Sequence, residues 1–254
     1  MADLSGVLAK LDRAEEHREA FDDLVEEYVG GEPYTIYSQY DPETGWHALR
    51  WQALRDPPLE RLALIFGDMV SNLRTTLDYL VWQLVLVAGK RPGRRTGFPV
   101  VRHANDWEVQ SRTALRGVEQ QWIDEIEVRQ PYHRPERPSI HPLAILDHVN
   151  NLNKHRFLPV ALLSVERLGL LINVQAAPGE VIESQDFLDR PITPDGELAR
   201  FRVPSRVQLE VVVNQAPHCR LSFDDGLDYD WHPIELVEWV RETVVQFEPA
   251  FRSR

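Results

Sequence analysis

Arg74 and Asp78 stand four residues apart in a stretch of helical periodicity, so a helix would set a cation beside a carboxylate at one border. Asn72 adds an amide close by. A second polar run, Asp147-His-Val-Asn-Asn-Leu-Asn-Lys-His-Arg156, supplies Asn150, Asn153, Lys154, His155 and Arg156. In that run Asn153 falls on an apolar stripe of Leu146, Val149, Phe157 and Val160, and a buried amide needs partners. If the two runs face each other, Asn72, Arg74 and Asp78 share one polar inter-helix site with Asn150, Asn153, Lys154, His155 and Arg156. The same residues also read as a hydrogen-bond and ion-pair network that only ties two helices together.

Two groups of cations stand outside this pair of helices. Lys90, Arg91, Arg94, Arg95 and Arg102 surround a Pro/Gly-rich stretch, and Arg129, Arg134 and Arg137 follow in another. They read as solubilising loops or as an anion-binding rim, with Arg94 and Arg95 as its anion-binding residues. His141, His148 and His155 recur every seven residues, which spaces them about 10 Å apart along a helix. One metal cannot bridge that distance, and no H-E-x-x-H spacing exists here. The three histidines therefore read as a wet face, and no metal is expected. Cys219 reads as a small apolar strand residue rather than a nucleophile. Asp224, Asp225, Asp228 and Asp230 sit in an expected solvated turn. There is no phosphate loop, dinucleotide fingerprint, nucleophile elbow or C-x-x-C, so no cofactor is expected.

Several elements must position these groups. Residues 4–29 read as an acidic amphipathic helix ended by Gly30-Gly31. Pro33–Tyr40 and Trp46–Leu54 flank a turn-forming Asp41–Gly45 and predict a hairpin. Asp56-Pro-Pro58 then opens a long helix, Leu59 to Ala88, with Asp56 as its expected cap. At 100° per residue, Phe66, Met69, Val70, Leu73, Leu77, Leu80, Val81 and Leu84 form its apolar face. Asp68, Ser71, Asn72, Thr75 and Tyr79 lie opposite. Short helices are expected at 105–115 and 118–128, an irregular Pro-rich segment at 130–142, and a helix at 141–157 limited by Pro159. The last third changes period. Leu170–Ala177, Val181–Phe187, Leu198–Val203, Val207–Val213 and Cys219–Phe223 read as strands, with a turn at Pro178-Gly179. A final helix runs from about Pro233 to Phe247.

Segregated helices and strands predict an α+β fold: a helical core around the long helix, with an antiparallel sheet from the N-terminal hairpin and the C-terminal strands. The 254 residues are expected to form a single domain. Its helical core would cover 59–165, a mainly β region 168–224 and a C-terminal helix 232–248. The net charge of −12 disfavours general nucleic-acid or anionic-membrane binding. The lone cysteine excludes an intramolecular disulfide, the start lacks the pattern of a signal peptide, and no run reaches a bilayer span. A cytosolic location and no membrane partner are the expectations.

The segment Gly67-Asp-Met-Val-Ser-Asn-Leu-Arg-Thr-Thr-Leu-Asp-Tyr-Leu-Val-Trp-Gln-Leu84 resembles an uncharacterised bacterial protein family whose helix reads G-D-x-x-H-N-L-R-S-x-L-D-H-L-x-W. The later D-K-H-R of that family matches Asn153-Lys-His-Arg156, and Phe98-Pro99 and Gln130-Pro-Tyr132 look similar too. The resemblance covers about residues 59–160 and implies no activity. It is also remotely similar to HEPN domains, helical bundles whose nuclease members use an arginine and a histidine four to six residues apart. Here Ser71 and Tyr79 replace the two family histidines, and tyrosine, with an unperturbed pKa near 10, is a poor neutral-pH substitute. Arg134 and His141 have a permitted spacing but lie among prolines. On that comparison Arg74 would stabilise phosphate charge and His155 would supply the imidazole of a metal-independent ribonuclease. The sequence thus leaves three functions: a binding or interaction protein, forming a homodimer through the long helix; such a ribonuclease; or a binder of a small anion or nucleotide.

Overall fold

A computed structural model describes residues 2–31, 33–155, 160–174, 183–186, 196–202, 209–223 and 231–252, with the backbone alone for 154–155, 160–174, 186 and 209–223. The chain has an α+β fold that divides into two compact units. The first comprises Met1–Asp23, Arg61–Leu158 and Asp225–Arg254; the second comprises Leu24–Glu60 and Pro159–Asp224.

The first unit is helical and is organised by α2 (Leu59–Val87). Its apolar residues recur at helical spacing, and all eight of those that define the expected apolar face are buried. Pro57 and Pro58 precede the helix, and the Leu59 N–H donates to the Pro57 carbonyl at 2.8 Å. The helix stops where Gly89 takes φ of 70°. The Gly89 N–H donates to Leu86 at 2.9 Å and the Lys90 N–H to Val85 at 3.1 Å, a Schellman closure that satisfies two terminal carbonyls. Val7, Leu11, Ala14 and Phe21 bury one stripe of α1 (Ser5–Gly30). Phe66 of α2 meets Phe21 at 5.9 Å and Trp231 at 5.7 Å between ring centroids. Short helices α3 (Trp107–Ala114) and α4 (Gln120–Glu127) follow, then two turns of 3-10 helix in the Pro-rich segment. α5 (Pro142–His155), α6 (Pro233–Phe247) and the short α7 (Pro249–Arg252) complete the unit. Leu143, Leu146 and Val149 of α5 and Leu236, Val240 and Phe247 of α6 join the core.

The second unit carries the strands. β1 (Tyr34–Tyr40) and β2 (Trp46–Ala53) form the expected hairpin, closed by the Asp41–Gly45 turn with Gly45 at φ of 76°. The hairpin does join later strands: β2 pairs antiparallel with β5 (Glu197–Arg202), and β5 with β4 (Glu183–Asp186). The sheet order is β1-β2-β5-β4. Leu49, Trp51, Leu198, Ala199 and Phe201 are its buried residues among those whose side chains are described, and Tyr34 stacks on Trp51 at 4.0 Å. β3 (Val160–Val174) and β6 (Leu209–Phe223) form a separate antiparallel ribbon. The expected strands at 207–213 and 219–223 are thus parts of one strand. α5 ends at His155 and β3 begins at Val160, so the helical stretch stops short of residue 165. The expected turns at Pro178-Gly179 and at Asp224, Asp225, Asp228 and Asp230 lie outside the described residues, as do Arg156 and Phe157.

Candidate functional site

Arg74 and Asp78 share the α2 border that their spacing predicts, and they pair at 3.0 Å. Both also bind one residue of the loop that follows. Arg74 Nη2 donates to the Phe98 carbonyl at 2.7 Å, and Asp78 Oδ1 accepts from the Phe98 N–H at 2.9 Å. Phe98 is 1% exposed, so its peptide groups depend on these partners. Gly97 is required by the close approach: a Cβ there would lie 2.8 Å from Asp78 Oδ1. The pair is a clamp on the Phe98-Pro99 backbone.

The amide Asn153 finds its partner on α2, but on the helix backbone. Its Nδ2 donates to the Gly67 carbonyl at 3.2 Å. A Cβ on Gly67 would sit 2.4 Å from Asn153 Oδ1, so the glycine makes the contact possible. Gly67 precedes Arg74 by seven residues, about 10 Å along the axis. Asn72 turns elsewhere: its Nδ2 donates to the Asp68 carbonyl at 2.8 Å, and its Oδ1 accepts from Lys10 of α1 at 3.2 Å. Asn150 is buried. Lys154 and His155 lie in the last turn of α5, and Arg156 is outside the described residues. Of the residues expected to converge, the structure brings together Arg74 with Asp78, while Asn153 and Asn72 contact separate partners. On α5, Asp147 accepts from Asn151 at 3.4 Å and lies 3.9 Å from Arg102, whose Nη2 donates to the Ala144 carbonyl at 3.3 Å.

His141 departs from the expected wet face, being 8% exposed. It directly precedes Pro142, the first residue of α5, and its Nδ1 accepts from the Leu143 N–H at 3.1 Å, capping the helix. The ring meets Trp239 of α6 edge-on at 5.6 Å. Burial, aided by Arg134 and His133, pushes its pKa down to about 4. The same solution recurs at α6, where His232 precedes Pro233 and accepts from the Ile234 N–H at 3.3 Å. Glu235 closes that capping box on the His232 N–H at 3.0 Å. His148 is half-buried. Among the described residues, no group of three or more His, Cys, Asp and Glu is placed to hold a metal ion.

Arg94 and Arg95 occupy the middle of a closed turn. The Gly93 N–H donates to Thr96 Oγ1 at 2.9 Å and the Thr96 N–H to the Gly93 carbonyl at 3.0 Å. Both arginines are exposed, as are Lys90 and Arg91, and none of the four forms an ion pair among the described residues. The turn is tied down at one end, where the Gly97 N–H donates to Ala114, the last residue of α3, at 3.3 Å. Gly117, with φ of 100°, packs beside Lys90: a Cβ on it would lie 3.4 Å from Lys90 Cδ. Its neighbour Arg116 is exposed. Arg116, next to the glycine that packs beside Lys90, thus joins Lys90, Arg91, Arg94 and Arg95 as a candidate for the expected rim. Arg102 belongs instead to the α5 contacts. Arg116 lies more than twenty residues along the chain from Arg95, so sequence proximity carries no signal for it beyond the Arg116-Gly117 that follows α3. Of the second cationic group, Arg129 pairs with Glu125 at 2.8 Å and lies over the Phe247 ring, while Arg134 and Arg137 are exposed.

Uncommitted guanidinium groups on a braced backbone offer planar paired donors to a phosphate or carboxylate. The chain matches no family model, and neither the curated proteins nor the solved structures provide a significant match. No helix among the described residues is long and apolar enough to cross a membrane.

Proposed function

We propose that this protein is a binding protein, working in the cytosol, that takes a small polyvalent anion such as a nucleotide or phosphorylated metabolite on the rim formed by Lys90, Arg91, Arg94, Arg95 and Arg116. The observation that carries this reading is the exposure of Arg94 and Arg95, without ion-pair partners among the described residues, at the centre of a turn anchored to α3. Bracing lowers the ordering cost of binding. The net charge of −12 favours a compact anion over a long nucleic acid, whose extended phosphate backbone would meet acidic surface. A ribonuclease would need Arg74 for phosphate, and Arg74 already serves Phe98 and Asp78.

A thermal-shift series with phosphate, pyrophosphate, ATP and citrate tests the proposal. A ligand at one hundred times its Kd stabilises by about 2.7 kcal/mol, which is roughly 5–10 °C for a chain of this size. The expected result is a rise with the polyvalent phosphates that shrinks at high salt and disappears in Arg94→Ala/Arg95→Ala. A flat response to every ligand, or one unchanged in that variant, overturns it.

A further inference from the structure

The two edges of the four-stranded sheet are built differently. At one edge, β4 is four residues long and carries Glu183 and Asp186, the short and charged form that discourages further pairing. At the other, β1 reads Tyr34-Thr-Ile-Tyr-Ser-Gln-Tyr40: seven residues with no charge, no proline and no glycine. Its register with β2 runs without a shift from Tyr34 opposite Ala53 to Tyr40 opposite His47. No bulge twists this edge away, and Tyr37, Ser38, Gln39 and Tyr40 are exposed. Among the described strands, β1 pairs with β2 alone. In a chain of net charge −12, an uncharged β-prone edge strand is a surface prepared for another strand.

The order of residues in β1 selects the partner. Tyrosines occupy its first, middle and last positions, with polar or β-branched residues between them. We infer that β1 pairs antiparallel with β1 of a second copy of this chain, about a two-fold axis at Tyr37, extending the sheet to eight strands. In that register Tyr34 lies opposite Tyr40 of the second copy, Thr35 opposite Gln39, Ile36 opposite Ser38, and Tyr37 opposite itself. Each strand face of one copy continues that of the other, because opposite residues share a face. The pairs are aromatic with aromatic or polar with β-branched, and no like charges meet. A two-fold contact is self-complementary and closes at two copies. Pairing β1 with β4 would instead propagate a filament and set Glu183 and Asp186 against the new strand.

One strand pair buries less than the roughly 1,200 Å² at which stable interfaces begin, so association is expected at about 10–100 μM rather than nanomolar. Sedimentation equilibrium of the full chain from about 5 to 500 μM reads this directly. The expected result is a monomer–dimer equilibrium whose constant weakens at least tenfold in Tyr37→Lys, with the circular dichroism and melting temperature unchanged. Tyr37→Cys on a Cys219→Ala background should form a disulfide-linked dimer on mild oxidation, since directly opposed residues of an antiparallel pair lie within disulfide reach. Tyr79→Glu on the exposed face of α2 should leave the constant unchanged. A monomer at every concentration overturns the inference. So does a dimer indifferent to Tyr37→Lys, or one abolished by Tyr79→Glu, which would place the contact on the long helix.

Discussion

Arg74 and Asp78 hold opposite ends of one residue: the guanidinium donates to the Phe98 carbonyl and the carboxylate accepts from the Phe98 N–H. A cation and an anion one helical turn apart on α2 thus replace the backbone partners that a buried loop residue lacks. The pair is architectural, and the proposed binding falls to the exposed arginines beyond the helix.

If Arg74 and Asp78 form a clamp, removing either destabilises the fold. Asp78→Ala leaves the buried Phe98 N–H without its charged acceptor and should cost about 2–3 kcal/mol in denaturant unfolding. Asp78→Asn keeps an acceptor oxygen and should cost about half as much. Arg74→Ala and Asp78→Ala should be non-additive by about 1 kcal/mol or more, because each single change already disables the shared contact.

Gly67 and Asn153 make a prediction of sign. In the wild-type background Gly67→Ala adds helix propensity but forces the Asn153 amide off the Gly67 carbonyl, for a net loss of about 1 kcal/mol. In the Asn153→Ala background the obstacle is gone, and Gly67→Ala should stabilise by about 0.5–1 kcal/mol. Paired urea titrations read both values. Stabilisation by Gly67→Ala in the wild type would count against the contact.

The His141 cap gives a pH dependence. Its folded pKa of about 4 lies below the ordinary histidine value of 6.5, so across that interval the unfolded chain binds the extra proton. The stability held by the neutral, buried ring is complete above pH 6.5 and is lost as the pH falls toward 4, by up to about 2–3 kcal/mol, because burial first and then Arg134 and His133 oppose charging it. His141→Asn keeps a capping acceptor without the titration. It should flatten the stability profile between pH 6.5 and 4, while the lost ring contact with Trp239 lowers stability by about 1 kcal/mol at pH 7.5. An unchanged acid slope in His141→Asn would place the dependence elsewhere.

Much of this fold is written in local patterns. The 3.6-residue period of α2 and the Asp41–Gly45 turn predict elements that the structure reproduces within a residue or two. The β3–β6 ribbon was harder to read. Its register shifts around Arg167 and Gly169, opposite the stretch of β6 containing Pro217, and each shift interrupts the alternation that marks a strand. The site was legible in kind but not in partners. An i,i+4 spacing reveals that Arg74 and Asp78 meet, but only the loop's path shows that Phe98 lies between them. The place of Asn153 on an apolar stripe signals an amide in need of a partner. Its partner is a backbone carbonyl opened by a missing side chain, and a polar-face plot contains no signal for that. The seven-residue spacing of His141, His148 and His155 suggests one wet helical stripe, whereas His141 is buried and caps the start of α5.

The most direct test separates the two sets of arginines. Calorimetric titration of ATP should give a salt-dependent affinity for the wild-type chain. That affinity should fall at least tenfold in Arg94→Ala/Arg95→Ala and further with Arg116→Ala, and hold within about twofold in a folded Arg74→Lys variant. The opposite outcome, binding that survives loss of Arg94 and Arg95 but is abolished by Arg74→Lys, would put the anion site on α2 and contradict the account.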